Sequence, residues 1–172
     1  MKRLILFLTF TLLTYFVFSQ KKETNDKKEI KQIVNSFMGC LIEKDSVKFY
    51  SLFHNEPVVW VGVFKEKSQQ DRLKKDSTKK EYFGSTYQKF YRSISNIGAN
   101  EEKFYNIDIN EDGIIASVTF DYSFWDNKKK INWGKESWGL VKINGKWKIT
   151  SVIFSLEFEM VNPEPKKKNK PN

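Results

Sequence analysis

Residues 138–155 read WGLVKINGKWKITSVIFS. Asn144-Gly145 stands between two alternating runs, and such a pair is a strong hairpin signal because a type I′ turn needs positive φ at both central residues. The turn sets a register. Ile143 is expected opposite Lys146 and Leu140 opposite Ile149, and a regular ladder continues with Trp138 opposite Ser151, Glu136 opposite Ile153 and Gly134 opposite Ser155. Directly opposed residues share a face. One face is then expected to carry Glu136, Trp138, Leu140, Trp147, Ile149, Ser151, Ile153 and Ser155. The other is expected to carry Val152, Phe154, Leu156 and Phe158, together with Trp133.

Upstream, residues 114–125 alternate just as clearly. Ala116, Val118, Phe120, Tyr122 and Phe124 are apolar, while Ser117, Thr119, Asp121 and Ser123 between them are polar. A turn over 126–130 places Phe120 opposite Glu136. A further strand is predicted over 103–109, turned by Asn110-Glu111-Asp112-Gly113. Before that the period is helical. Ile30, Ile33, Val34, Phe37 and Leu41 mark a helix over 27–43 with Asn25 or Asp26 as its cap, and a shorter helix follows over 47–54. VVWVGVF at 58–64 is β-branched and aromatic, hence a strand. KEKSQQDRLKKDSTKK at 65–80 predicts a polar connection with a turn of helix, and Phe83, Tyr87, Phe90 and Ile94 mark a third helix over 81–95. The fold class is therefore α+β: helices first, then long antiparallel strands that curve around them.

Lys2 and Arg3 precede an uncharged apolar run to Phe18, and Val17 and Ser19 are spaced as a signal-peptidase site. This order predicts a signal peptide over residues 1–19, cleaved after Ser19, with a secreted or periplasmic product and no stable membrane insertion after cleavage. The remaining chain divides into one domain over 20–161 and a lysine-rich tail over 162–172, expected to be disordered. The formal charge is +9. The signal segment supplies two of these charges and the tail three, so the excess on the domain is mild and no nucleic-acid partner is expected. Cys40 is the only cysteine and His54 the only histidine. That excludes an internal disulfide, argues against a zinc site, and predicts neither metal nor cofactor. Cys40 falls on the flank of an apolar helix face and is expected to be buried.

The order of two helices, a strand, a helix and a run of long strands resembles the nuclear transport factor 2-like superfamily. The residues that carry the resemblance are EKDSVKFYSLFHNEPVVW at 43–60 and WGLVKINGKWKITSVIFS at 138–155, the second similar to SnoaL-like proteins. The resemblance implies a cystatin-like α+β cone, a cavity between helices and sheet, and a homodimer formed sheet to sheet. Members of polyketide cyclase or ketosteroid isomerase type use an acidic base and an oxyanion donor. Where SnoaL-like relatives often place a pocket histidine, this chain has Ile153, and Asp45 matches a common acidic position that a helix cap also explains.

The cavity is expected to be lined by Trp60, Tyr87, Tyr91, Phe120, Tyr122, Glu136, Trp138, Ser151 and Ile153, with Trp133, Phe154, Leu156 and Phe158 forming an outer dimer patch. Glu136 is the candidate catalytic residue. A buried carboxylate is costly, so it is paired with a Lys, Arg or Tyr, wetted at a rim, or held at a raised pKa as a general acid or base. Three functions follow in order: an exported domain that binds a small apolar or aromatic ligand without chemistry, a cofactor-free lyase or isomerase using Glu136, and a protein-interaction module.

Overall fold

A computed structural model describes residues 24–95 and 99–165. The expected signal segment and the lysines from residue 166 lie outside them. Helix α1 (Asn25–Glu43) starts at Thr24, whose hydroxyl accepts from Lys27 N, and buries Ile30, Val34, Phe37, Cys40 and Leu41. It stops at Lys44, which takes the left-handed conformation. Helix α2 (Ser46–Ser51) is capped by Asp45, whose carboxylate accepts from Lys48 N at 2.9 Å. The cap reading of Asp45 is thus the one the geometry carries.

Strand β1 (Val59–Phe64) follows, then helix α3 (Glu66–Lys75), the short strand β2 (Tyr82–Gly84) and helix α4 (Tyr87–Ser95). The polar connection therefore holds a ten-residue helix, not one ragged turn. It can be almost all polar because one buried side chain, Ser68, supplies its anchor: Ser68 N and Oγ both donate to the buried Glu157 carboxylate. Strands β3 (Asn100–Glu111), β4 (Ile115–Asp126), β5 (Lys129–Ile143) and β6 (Lys146–Phe158) form the meander. The six-stranded sheet runs β2-β1-β6-β5-β4-β3. Every pair is antiparallel except β1 and β6, which are parallel.

Asn144 and Gly145 both have positive φ, as the hairpin requires. Phe120 lies opposite Glu136 as expected, although by a tighter route: a two-residue turn at Asn127-Lys128 plus an irregularity beside Trp125. The β5–β6 ladder departs from the regular register. Leu140 pairs with Ile149, but Gly139 pairs with Ser151, so Thr150 is an extra residue. Gly139 is where the bulge can form. Its N–H donates to Ser151 Oγ and its carbonyl accepts from Thr150 Oγ1, and a Cβ there would lie 2.6 Å from Ser151 Oγ. A β-bulge shifts the alternation by one residue. Beyond it Trp138 faces Val152 and Glu136 faces Phe154.

That shift overturns the expected faces of β6. Val152, Phe154 and Leu156 point at the helices, and Ile153 is 47% exposed on the far side. The expected outer patch is dispersed accordingly. Phe154 and Leu156 are interior, and Phe158 packs on Phe64 with ring centroids 5.7 Å apart. Trp133 is covered by the Lys65 ammonium 4.1 Å above its ring and donates Nε1 to Asn162 O. The first residues of the tail are also ordered by contacts: Glu164 accepts from Lys130 Nζ at 2.7 Å and from Tyr105 Oη.

Candidate functional site

Phe37 of α1 is the centre of the core, touching Trp138, Phe49, Phe104 and Phe90 at centroid distances of 4.8–6.2 Å. To one side of it the packing is incomplete, and a cavity of ≈ 170 Å³ remains. Phe37, Trp60, Phe90, Ile94, Phe124, Phe154 and Leu156 form its apolar wall, with Phe83 the exposed residue at its edge. Phe154 organises the wall: Phe83, Tyr122 and Trp60 all meet its ring near edge-on, at 5.7, 6.2 and 6.3 Å. Trp60 also lies against Phe90 at 4.9 Å.

Two carboxylates enter this space. Glu136 of β5 is 4% exposed and accepts from Trp138 Nε1 at 2.7 Å. Glu102 of β3 is 5% exposed, and its Oε2 has no hydrogen-bond partner among the described residues. Among the described residues no lysine, arginine or histidine lines the cavity. Burial pushes both acids up. Glu136 rises to about 8, opposed in part by its bond from Trp138, and Glu102 stands well above the usual carboxylate range through burial and then the charge of Glu136. At neutral pH the pair therefore carries protons that ordinary surface glutamates have lost.

Tyr122 and Asn132 are the other polar side chains of the lining. Burial and the two glutamates hold the Tyr122 phenol up, and its Oη donates to Ser155 O at 3.1 Å. Its ring reaches β6 by crossing Gly134, where a Cβ would fall 2.9 Å from Tyr122 and 1.9 Å from Ser155 O. The backbone bond occupies the hydroxyl, whereas Glu102 Oε2 is buried with no partner among the described residues.

Of the residues expected to line the cavity, Trp60, Tyr122 and Glu136 do so. Trp138 supports it through Glu136. Phe120 is packed between Phe104 and Trp138, Tyr87 stacks on Phe53 at 4.1 Å, and Tyr91 packs on Phe49 at 4.9 Å. Ser151 belongs to the bulge and Ile153 to the outer face. Glu102 was missed because the strand was expected to begin at Lys103, whereas β3 starts at Asn100. The signal was present: Glu102 shares its parity with Phe104, and the two pair with Phe124 and Tyr122 on the apolar side of β4. His54 is remote, its Nδ1 accepting from Glu56 N. Among the described residues no cluster of His, Cys, Asp and Glu could hold a metal ion.

No family model matches the chain, and no curated protein matches it in sequence. Solved structures do match in shape. A nuclear transport factor 2-like protein of unknown function from Pseudomonas putida superposes with a TM-score of 0.60 at 13% identity, over 87% of this chain and 99% of that one. A proposed scytalone dehydratase from Novosphingobium aromaticivorans gives 0.57 at 16% identity, over 77% and 85%. A protein of unknown function with a cystatin-like fold from Nostoc punctiforme gives 0.57 at 13% identity, over 78% and 93%. With helices packed inside a curved sheet and a cavity at their junction, the chain has the fold of the nuclear transport factor 2-like proteins.

Proposed function

We propose that the chain is an exported domain that binds a small, largely apolar ligand in the cavity above Glu102 and Glu136. One observation carries this reading: two buried acids, with no basic partner among the described residues, face an unfilled aromatic space. A protein core gains nothing from such groups, since an unpaired buried carboxyl costs stability that an apolar side chain would not. The size of the space sets the scale of the ligand. An apolar cavity of roughly 150 Å³ accommodates benzene, so ≈ 170 Å³ suits about one ring or its equivalent. Mass spectrometry of the protein under native and then denaturing conditions tests this. A small molecule released on unfolding, and lost from a Phe154→Ala or Trp60→Ala variant that still folds, is the expected result. Export is checked by N-terminal sequencing of the mature protein, which should begin at Gln20.

The second reading, a cofactor-free lyase or isomerase, draws on the same site. A carboxyl with pKa of about 8 is suited to proton transfer near neutral pH. Glu136 would move the proton, and Glu102, kept neutral by burial, would donate a hydrogen bond to a developing oxyanion. One structural neighbour bears the name of a dehydratase. Glu136→Gln separates the two readings, because under the second it abolishes turnover of a discovered substrate, whereas under the first the wild-type protein releases its ligand chemically unchanged. An interaction module has less support, since it would call for a cavity filled by side chains.

A further inference from the structure

We propose that the ligand of this cavity is a small organic cation, an alkyl or quaternary ammonium, whose charge sits between Glu102 and Glu136 and whose carbon substituents lie against Trp60, Phe90 and Phe154. The inference rests on the ligand-binding reading and narrows it to a chemical class.

The site offers two carboxyls and aromatic faces, and among the described residues no positively charged side chain lines it. Glu102 Oε2 is buried without a partner, and Glu136 has only the Trp138 N–H. Neither acid could be satisfied by a purely apolar ligand, which would seal both away from water at further cost. A carbonyl or ether ligand could accept from a protonated acid or from the Asn132 amide, but it offers nothing to the carboxylates once they ionise. An ammonium group answers both features, because carboxylates attract it and aromatic rings attract it through their electron-rich faces. Trp is the strongest such ring, and Trp60 is in the wall.

The empty site holds protons in place of the cation. Among the described residues the titratable groups that face it are Glu102 from β3, Tyr122 from β4 and Glu136 from β5, with the neutral Asn132 amide beside them. The walls from α1, α4, β1, β2 and β6 bring only apolar side chains. Entry of a cation must then expel a proton wherever the acids are neutral, so affinity rises with pH at least to the point where Glu136 ionises, near 8, and Glu102, also shifted up, acts in the same direction. For one proton expelled the rise is up to about ten-fold per pH unit.

Choline and its neutral isostere 3,3-dimethylbutan-1-ol provide the test, titrated into the mature protein and followed by calorimetry and tryptophan fluorescence. Choline has no titrating amine, so its pH dependence reports the protein alone. The expected result at pH 8 is at least ten-fold tighter binding of choline than of the alcohol. That preference should shrink towards pH 6 and be lost in Glu136→Gln or Glu102→Gln. Both variants are neutral isosteres of the protonated acids, and thermal melts confirm that they fold. Equal or tighter binding of the alcohol at pH 8 overturns the cation proposal while leaving ligand binding intact. So does a choline preference unmoved by pH and by both substitutions. If neither probe binds at millimolar concentration the proposal also falls, and a neutral molecule released in the native mass spectrum would then identify the site as one for uncharged ligands.

Discussion

Glu136 shows how a single residue sets a property of the whole. Its carboxyl stays protonated in the fold to about pH 8 but ionises near 4.5 once exposed. Between those values the folded chain holds a proton that the unfolded chain has released, so stability falls as pH rises across the window. The slope is at most about 1.4 kcal/mol per pH unit for one proton, and Glu102, also shifted up, acts in the same direction. Asp26 has the opposite sign. Its bonds from Lys142 Nζ and Trp147 Nε1 lower it, so its contribution is present above about 3.8 and is lost only in acid. The protein should therefore melt at a higher temperature at pH 5 than at pH 8, and Glu136→Gln should flatten that difference. A wild-type melting temperature equal at the two pH values would contradict the burial of an unpaired acid.

Among the elements, β5 and β6 decide where the cavity is. The Asn-Gly turn was legible at once, because its backbone demand is local and only certain residues meet it. The bulge at Thr150 was not legible, since nothing in Ile149-Thr150-Ser151-Val152 forbids regular alternation; it depends on Gly139 across the ladder. One uncounted residue exchanged Ile153 for Phe154 in the interior, while Glu136, on the partner strand, kept its place. Fold and central acid could thus be read from the sequence, but the lining from β6 could not. Gly134 is the other fixed point. Gly134→Ala would bring a Cβ to 1.9 Å from a backbone carbonyl that cannot rotate away. Overpacking of this kind costs roughly 1–3 kcal/mol, and a lower denaturation midpoint together with altered Tyr122 contacts is the expected outcome.

For the molecule as a whole, the relocated faces change what a dimer could use. We propose that a sheet-to-sheet homodimer seats on the outer side chains of β1 and β6, where Val61 lies beside Ile153 and Val59 and Val63 are exposed. Ile153→Glu should then halve the mass measured by sedimentation without lowering the melting temperature, whereas Phe154→Glu should destabilise each protomer. A mass unchanged by Ile153→Glu places any association elsewhere. The parallel pairing of β1 with β6 has a different consequence, one of timing. Phe64 lies beside Leu156, joining segments some ninety residues apart, and loops of that span close slowly because the entropy is lost before any contact rewards it. During synthesis VVWVGVF emerges long before the strand that will cover it, a short apolar β-prone segment of the sort that aggregates when left unpaired. Folding is thus committed only when the last strand arrives, and a chain interrupted after Gly145 would release four helices, the β3–β5 meander and an apolar β1 without the β6 that joins them.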